Sequence, residues 1–125
     1  MFDRTNHGRI ALILAILLTI FIFFIQRDDE PTELIYNGKT VEISRHAACR
    51  MDCREITMSD VRAVLKNGKL NDKKSEPNAP RCPKFAIDGS TRNKEAMRII
   101  VADCESEATL VTVIDLKNNY DCDCK

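Results

Sequence analysis

Apolar positions fall along this chain in three patterns, and the first of them is unbroken. Ile10 to Ile25 read I-A-L-I-L-A-I-L-L-T-I-F-I-F-F-I, sixteen positions without a charge, Gly or Pro. A core helix normally keeps a polar stripe, whereas this stretch is apolar all round. Sixteen helical residues rise about 24 Å, a little short of a ~30 Å hydrocarbon core. Gly8, Arg9 and Gln26 can extend the helix, with Arg9 and Arg27 reaching the headgroups. The stretch therefore predicts a transmembrane helix that meets the lipid bilayer through residues 10–25. A cleaved signal peptide is the rival, with an apolar region of about 7–15 residues before a small-x-small site. Here Phe23-Phe24-Ile25-Gln26-Arg27 follows instead, and Ala11 and Ala15 lie too early. That favours an uncleaved signal-anchor.

Beyond the anchor the pattern shortens to strand and amphipathic-helix periods. Residues 26–32 are charged, broken by Pro31, and read as a linker. L-I-Y-N-G-K-T-V-E-I, residues 34–43, sets two short apolar runs around Asn37-Gly38 and predicts a two-residue hairpin. Ser44 can cap a helix from Arg45 to about Arg54. A second helix begins near Thr57 or Ser59, with Thr57-x-x-Asp60 as a capping-box variant. Its apolar face is Val61, Val64 and Leu65, and Asn67-Gly68 stops it. Residues 71–81 are polar and read as a loop. Three alternating runs then predict strands at Lys84–Asp88, Met97–Asp103 and Leu110–Leu116.

This order of elements predicts an α+β domain, a small antiparallel sheet with two helices packed on one face. The chain thus divides into an N-tail (1–9), a transmembrane helix (10–25), a linker (26–32) and a domain (33–125).

Charge adds an orientation and one exclusion. Arg4 and Arg9 precede the apolar stretch, while Arg27 alone follows closely, before Asp28, Asp29 and Glu30. Counted over Lys and Arg, this favours a cytoplasmic N-tail and a domain on the far side, in the periplasm or outside the cell. The chain carries 19 basic and 19 acidic side chains. Without the surplus of Lys and Arg that phosphate backbones require, no nucleic acid is expected as partner.

Cys49, Cys53, Cys82, Cys104, Cys122 and Cys124 all lie beyond the anchor. An even number at this density fits pairing in an oxidising compartment, which agrees with the charge rule. If Ile87 pairs with Ile99 in an antiparallel ladder, Cys82 faces Cys104, and a cross-strand bridge is expected. C-x-x-x-C on the first helix and C-x-C in the tail each close poorly on themselves. Two bridges between helix and tail are then the natural solution. Zinc held by Cys49, Cys53, Cys122 and Cys124 is the alternative; otherwise no cofactor is expected.

H-A-A-C-R-M-D-C-R-E-I-T-M-S-D-V-R-A-V-L-K-N-G-K, residues 46–69, resembles the bacterial domain-of-unknown-function family 4258. The shared features are a His-Ala-x-x-Arg-Met helix, an Arg-x-Ile step, a second helix and a later strand like M-R-I-I-V-A, residues 97–102. The resemblance covers residues 41–116 or so. That family is similar in outline to the RelE/ParE toxin superfamily, whose ribonuclease members cut RNA with basic side chains. The resemblance extends to fold and does not by itself carry function.

On a helical wheel, with His46 at zero, Arg50 falls at about 40° and Arg54 at about 80°. These three form one stripe. Ala47, Met51 and Ala48 lie between about 100° and 200° and are the expected core face. Cys49 and Cys53 fall at about 300° and 340°. The stripe, joined by Arg98 from a strand, would suit an oxyanion, with His46 able to transfer protons. The plainer reading is a solvated face whose arginines pair with carboxylates of the sheet.

No Gly-rich phosphate loop, H-E-x-x-H or G-x-S-x-G is present. Asp88, Asp103 and Asp115 fall at or near strand ends, where turn and cap roles prevail. The expected function is a membrane-anchored, disulfide-stapled binding or interaction module whose partner is a protein or an anionic ligand. The alternative is a RelE-like ribonuclease or phosphodiesterase using His46, Arg50, Arg54 and Arg98.

Overall fold

The structure is a computed structural model that describes residues 4–26 and 33–124. The expected linker therefore lies outside the described residues except for Gln26. Two compact units result, one on each side of it.

The first unit is helix α1, Arg4–Ile25, 22 residues long. Within it Asn6–Ile25 is long and apolar enough to cross a membrane, and none of that window is buried.

In the second unit, β1 (Ile35–Tyr36) and β2 (Lys39–Ile43) form the expected hairpin. Asn37 and Gly38 take φ of 49° and 75°, the left-handed pair that a tight turn of this hand needs. Helix α2 spans Arg45–Cys53, and the Ser44 hydroxyl caps it by accepting from the Ala47 N–H. Helix α3 spans Met58–Asn67, and Thr57 and Asp60 close a reciprocal capping box. Gly68 ends α3, and there a Cβ would stand 2.5 Å from the Val64 carbonyl oxygen and 2.6 Å from Ile87 Cγ2. Only a glycine lets the chain turn that close to the sheet.

Strands β4 (Lys84–Ser90), β5 (Ala96–Asp103) and β6 (Ala108–Asp115) complete the ladder. Each predicted strand lies within two residues of its observed bounds, and Ile87 pairs with Ile99 as expected. Two short elements were not expected. Strand β3 (Lys69–Leu70) edges β4, and a 3₁₀ turn follows at Asp72–Lys74. Their pairing comes from Asn71 and Ser75, whose polar side chains read only as loop.

The sheet order is β1-β2-β6-β5-β4-β3. Neighbours are antiparallel except β2 and β6, which are parallel. Five alternating residues in β2 carry no signal of strand direction; the hairpin and the two helices deliver it to β6 in that sense. Opposite Ile100 and Val101 the register shifts, leaving Val111 as an extra residue in β6.

Helices α2 and α3 cover one face of the sheet. Ala47, Met51, Val61 and Val64 meet Val41, Ile87, Met97, Ile99, Val101, Leu110 and Val113 there. Every side chain fully buried among the described residues is apolar. Ala48, expected in this core, is exposed. The buried arc of α2 is centred nearer the arginine stripe than the wheel placed it, because β6 runs beneath Arg54.

Candidate functional site

Helix α2 is held to β6 at its first turn. Ser44 Oγ, besides capping, donates to the Val111 carbonyl at 3.0 Å. With Ala47 and Met51 buried, the next positions round the helix are His46, Arg50 and Arg54, and all three are half-buried. The stripe therefore lies at the margin of the buried face, partly covered and partly in solvent.

Arg54 lies along the sheet, and its Nη1 donates to the Val113 carbonyl at 2.5 Å. Burial lowers its pKa from the ordinary arginine value, and nearby Arg50 lowers it further, while Asp115 and Tyr120 act the other way. The Nε atoms of Arg50 and Arg54 are buried without a hydrogen-bond partner. Two guanidinium groups on successive turns thus lie together, with the Asp115 carboxylate near enough to Arg54 to act against its neighbour's charge.

Arg98 does not join them. Its neighbours Met97 and Ile99 point into the helix-covered core, so Arg98 projects from the opposite face of the sheet. There its Nε and Nη2 donate to Asp88 at 2.6 and 2.9 Å, and Asn71 donates to the same carboxylate at 2.8 Å. The Arg98 hydrogen bond holds Asp88 below the ordinary carboxylate range despite its partial burial. A four-residue basic site is not assembled; His46, Arg50 and Arg54 share a helix, and Arg98 belongs to another surface.

The other strand-end carboxylates have structural partners. Lys39 Nζ sits 2.5 Å from Asp103 and also donates to the Cys104 carbonyl at 2.6 Å. That pairing lowers the Asp103 pKa. Burial would raise Asp115, yet it too is lowered, because the N–H groups of Asn118 and Lys117 both donate to Oδ1 at 2.8 Å. Asp115 thereby shapes the turn that sends the tail back toward α2.

The six cysteines stand in three pairs with their sulfurs at disulfide distance. Cys82 meets Cys104 with Cα atoms 4.9 Å apart. Cys49 meets Cys124 at 5.8 Å, and Cys53 meets Cys122 at 6.0 Å. The tail therefore runs antiparallel to α2 along its exposed side. The four cysteines offered above as zinc ligands form two pairs. Among the described residues no three His, Cys, Asp or Glu side chains are grouped to hold a metal ion.

One concavity was not foreseen. On the sheet face away from α2 and α3, residues 79–82 stand beside β4 and bound a hollow of about 740 Å³. Ala102, Thr109 and Val111 line it, with Lys84, Cys104 and Glu107 at its margins. The signal lay in the alternation of β5 and β6, whose second face carries Ile100, Ala102, Thr109 and Ile114, with Arg98 as its one β5 charge.

No curated protein and no solved structure matches the chain. Residues 43–115 match the sequence profile described as Domain of unknown function (DUF4258), and the chain belongs to that family.

Proposed function

We propose that this chain is a single-pass membrane protein whose disulfide-stapled domain works outside the cytoplasm as a binding or interaction module. The pairing of the cysteines carries this reading. All six lie beyond the apolar helix, and all six have a partner at disulfide distance. Thiols in a reducing compartment rarely come in so complete a set. The exposed apolar surface of α1 supports a membrane helix, and Phe23-Phe24-Ile25-Gln26-Arg27 in place of a small-x-small site supports an uncleaved signal-anchor with Arg4 and Arg9 on the cytoplasmic side.

The test is topology and redox state together. A fusion at Lys125 should give active alkaline phosphatase and dark green fluorescent protein. Peptide mapping without reductant should find no alkylated cysteine, and intact mass should retain the N-terminus. A fluorescent fusion with six alkylated cysteines would overturn the reading, and a mature chain beginning after Ile25 would remove the anchor.

A second reading rests on Arg50 and Arg54, which together offer positive charge for an oxyanion at one end of the domain. It supports an anionic ligand better than a ribonuclease, because Arg98 is engaged with Asp88 on the far face. Loss of anion binding in Arg50→Ala, with folding intact, would support it.

A further inference from the structure

The face of the sheet away from α2 and α3, part-covered by residues 79–82, has a polarity that follows from its register. Lys84 on β4 pairs with Ala102 on β5, Ala102 with Thr109 on β6, and Thr109 with Glu42 on β2. One row across four strands thus reads cation, small, small, anion, over roughly 14 Å at the usual strand spacing. The same sense recurs at the margins of the hollow. Arg81 stands on the β4 side and Glu107 at the start of β6. Between the charged ends the surface is short and apolar or β-branched, with Ala102, Ile100, Val111 and Ile114, and the Arg98–Asp88 pair beyond them neutralises itself. Lys84 Nζ lies 3.9 Å from Glu76, at the outer limit of an ion pair, and 44% of the side chain is exposed.

We infer that this face binds a second copy of the same chain. A two-fold axis parallel to the strands, passing between Ala102 and Thr109, lays the face on its own copy with the row reversed. Lys84 of each copy then meets Glu42 of the other, and Ala102 lies over Thr109. Packed sheets stand about 10 Å apart, a gap that Lys and Glu side chains span end to end while Ala and Thr leave the middle open. The hollow beside residues 79–82 is where β2 of the second copy enters. A partner of one charge sign would match only one side of this row, whereas a second copy matches both. The inference names the partner of the interaction module proposed above and rests on that reading, but not on where the domain resides. A contact centred on one row of side chains, against the roughly 800 Å² per partner of a standard interface, should give weak and concentration-dependent association.

The experiment uses the full chain in detergent micelles, with dimer fraction followed over a concentration series by sedimentation. Wild type should dimerise. Glu42→Lys and Lys84→Glu should each weaken dimerisation at least about tenfold, since each puts like charges at both symmetric contacts. Mixing the two variants should restore dimers, as should the Glu42→Lys/Lys84→Glu double variant alone. Peptide maps matching wild type establish that each variant folds. A chain monomeric at every concentration would overturn the inference, as would dimers indifferent to both charge reversals, which would point to contact through α1. Neither outcome touches the topology and thiol results, so the two readings fail separately.

Discussion

Asp88 and Arg98 face each other across β4 and β5 and are joined by two parallel hydrogen bonds, from Nε and Nη2 to the two carboxylate oxygens. The pair is directly opposed in the ladder, and Asn71 holds the carboxylate from the side. Its geometry is bidentate, with the Arg98 side chain 17% and the Asp88 side chain 30% exposed, so it contributes more than a loose surface contact.

Asp88→Asn should therefore cost about 1 kcal/mol at neutral pH. The folded-state pKa of Asp88 is depressed, chiefly by Arg98. Its contribution is complete above the ordinary carboxylate value and disappears as pH falls through the folded one. Urea unfolding of both proteins at stepped pH should show the gap closing only on the acid side.

Arg54 and Arg50 should respond differently to truncation. Arg54→Ala leaves the Val113 carbonyl without its donor and should destabilise by about 1–3 kcal/mol. Arg50→Ala removes a cation beside another cation and should stay within about 0.5 kcal/mol of wild type or gain slightly. Thermal unfolding of the two variants side by side checks this; equal losses would make Arg50 structural as well.

Gly68→Ala should destabilise by about 1–3 kcal/mol, because the new methyl meets backbone as well as the Ile87 side chain. The Val64 and Asp88 carbonyls cannot move without parting α3 from β4. Calorimetry of the variant should show a lower Tm with unchanged cysteine pairing.

Removing residues 121–125 should cost about 4 kcal/mol in the chain-entropy account, far beyond an ordinary exposed tail. Cys49 and Cys53 should become reactive to iodoacetamide while Cys82 and Cys104 stay protected. Mass spectrometry after alkylation reads both at once.

Local rules made most of the fold legible. Asn37-Gly38, Ser44 and the Thr57/Asp60 box each fix a backbone conformation through their own chemistry, and each acts as the sequence implies. The register of β4 on β5 followed from alternation, since a one-residue slip would turn Ile87 and Ile99 out of the core. What could not be read depended on partners distant in sequence. The parallel contact of β2 with β6 brings Val41 to Ala108, and nothing near either residue specifies the other. The setting of the basic stripe depends on such a partner too. A wheel gives the angle between Arg50 and Arg54 but not which strand lies beneath them, and β6 turned them inward. Arg98 was grouped with them by charge, yet strand alternation beside Met97 and Ile99 already directed it to the other face.

The three cysteine pairs are nested. Cys82–Cys104 lies within the span of Cys53–Cys122, which lies within Cys49–Cys124. A chain emerging from its N-terminal end would find the innermost partners first, so that bridge can close while the outer two wait for the last pair of sulfurs. Through all of that interval Cys49 and Cys53, one helical turn apart and exposed, lack the partners they have in the folded domain. Enclosure without crossing means that no bridge requires the chain to thread a closed ring, whichever outer bridge forms first. Oxidation of the outer pairs then becomes a record that synthesis has passed Cys124 and that the tail has turned back along α2.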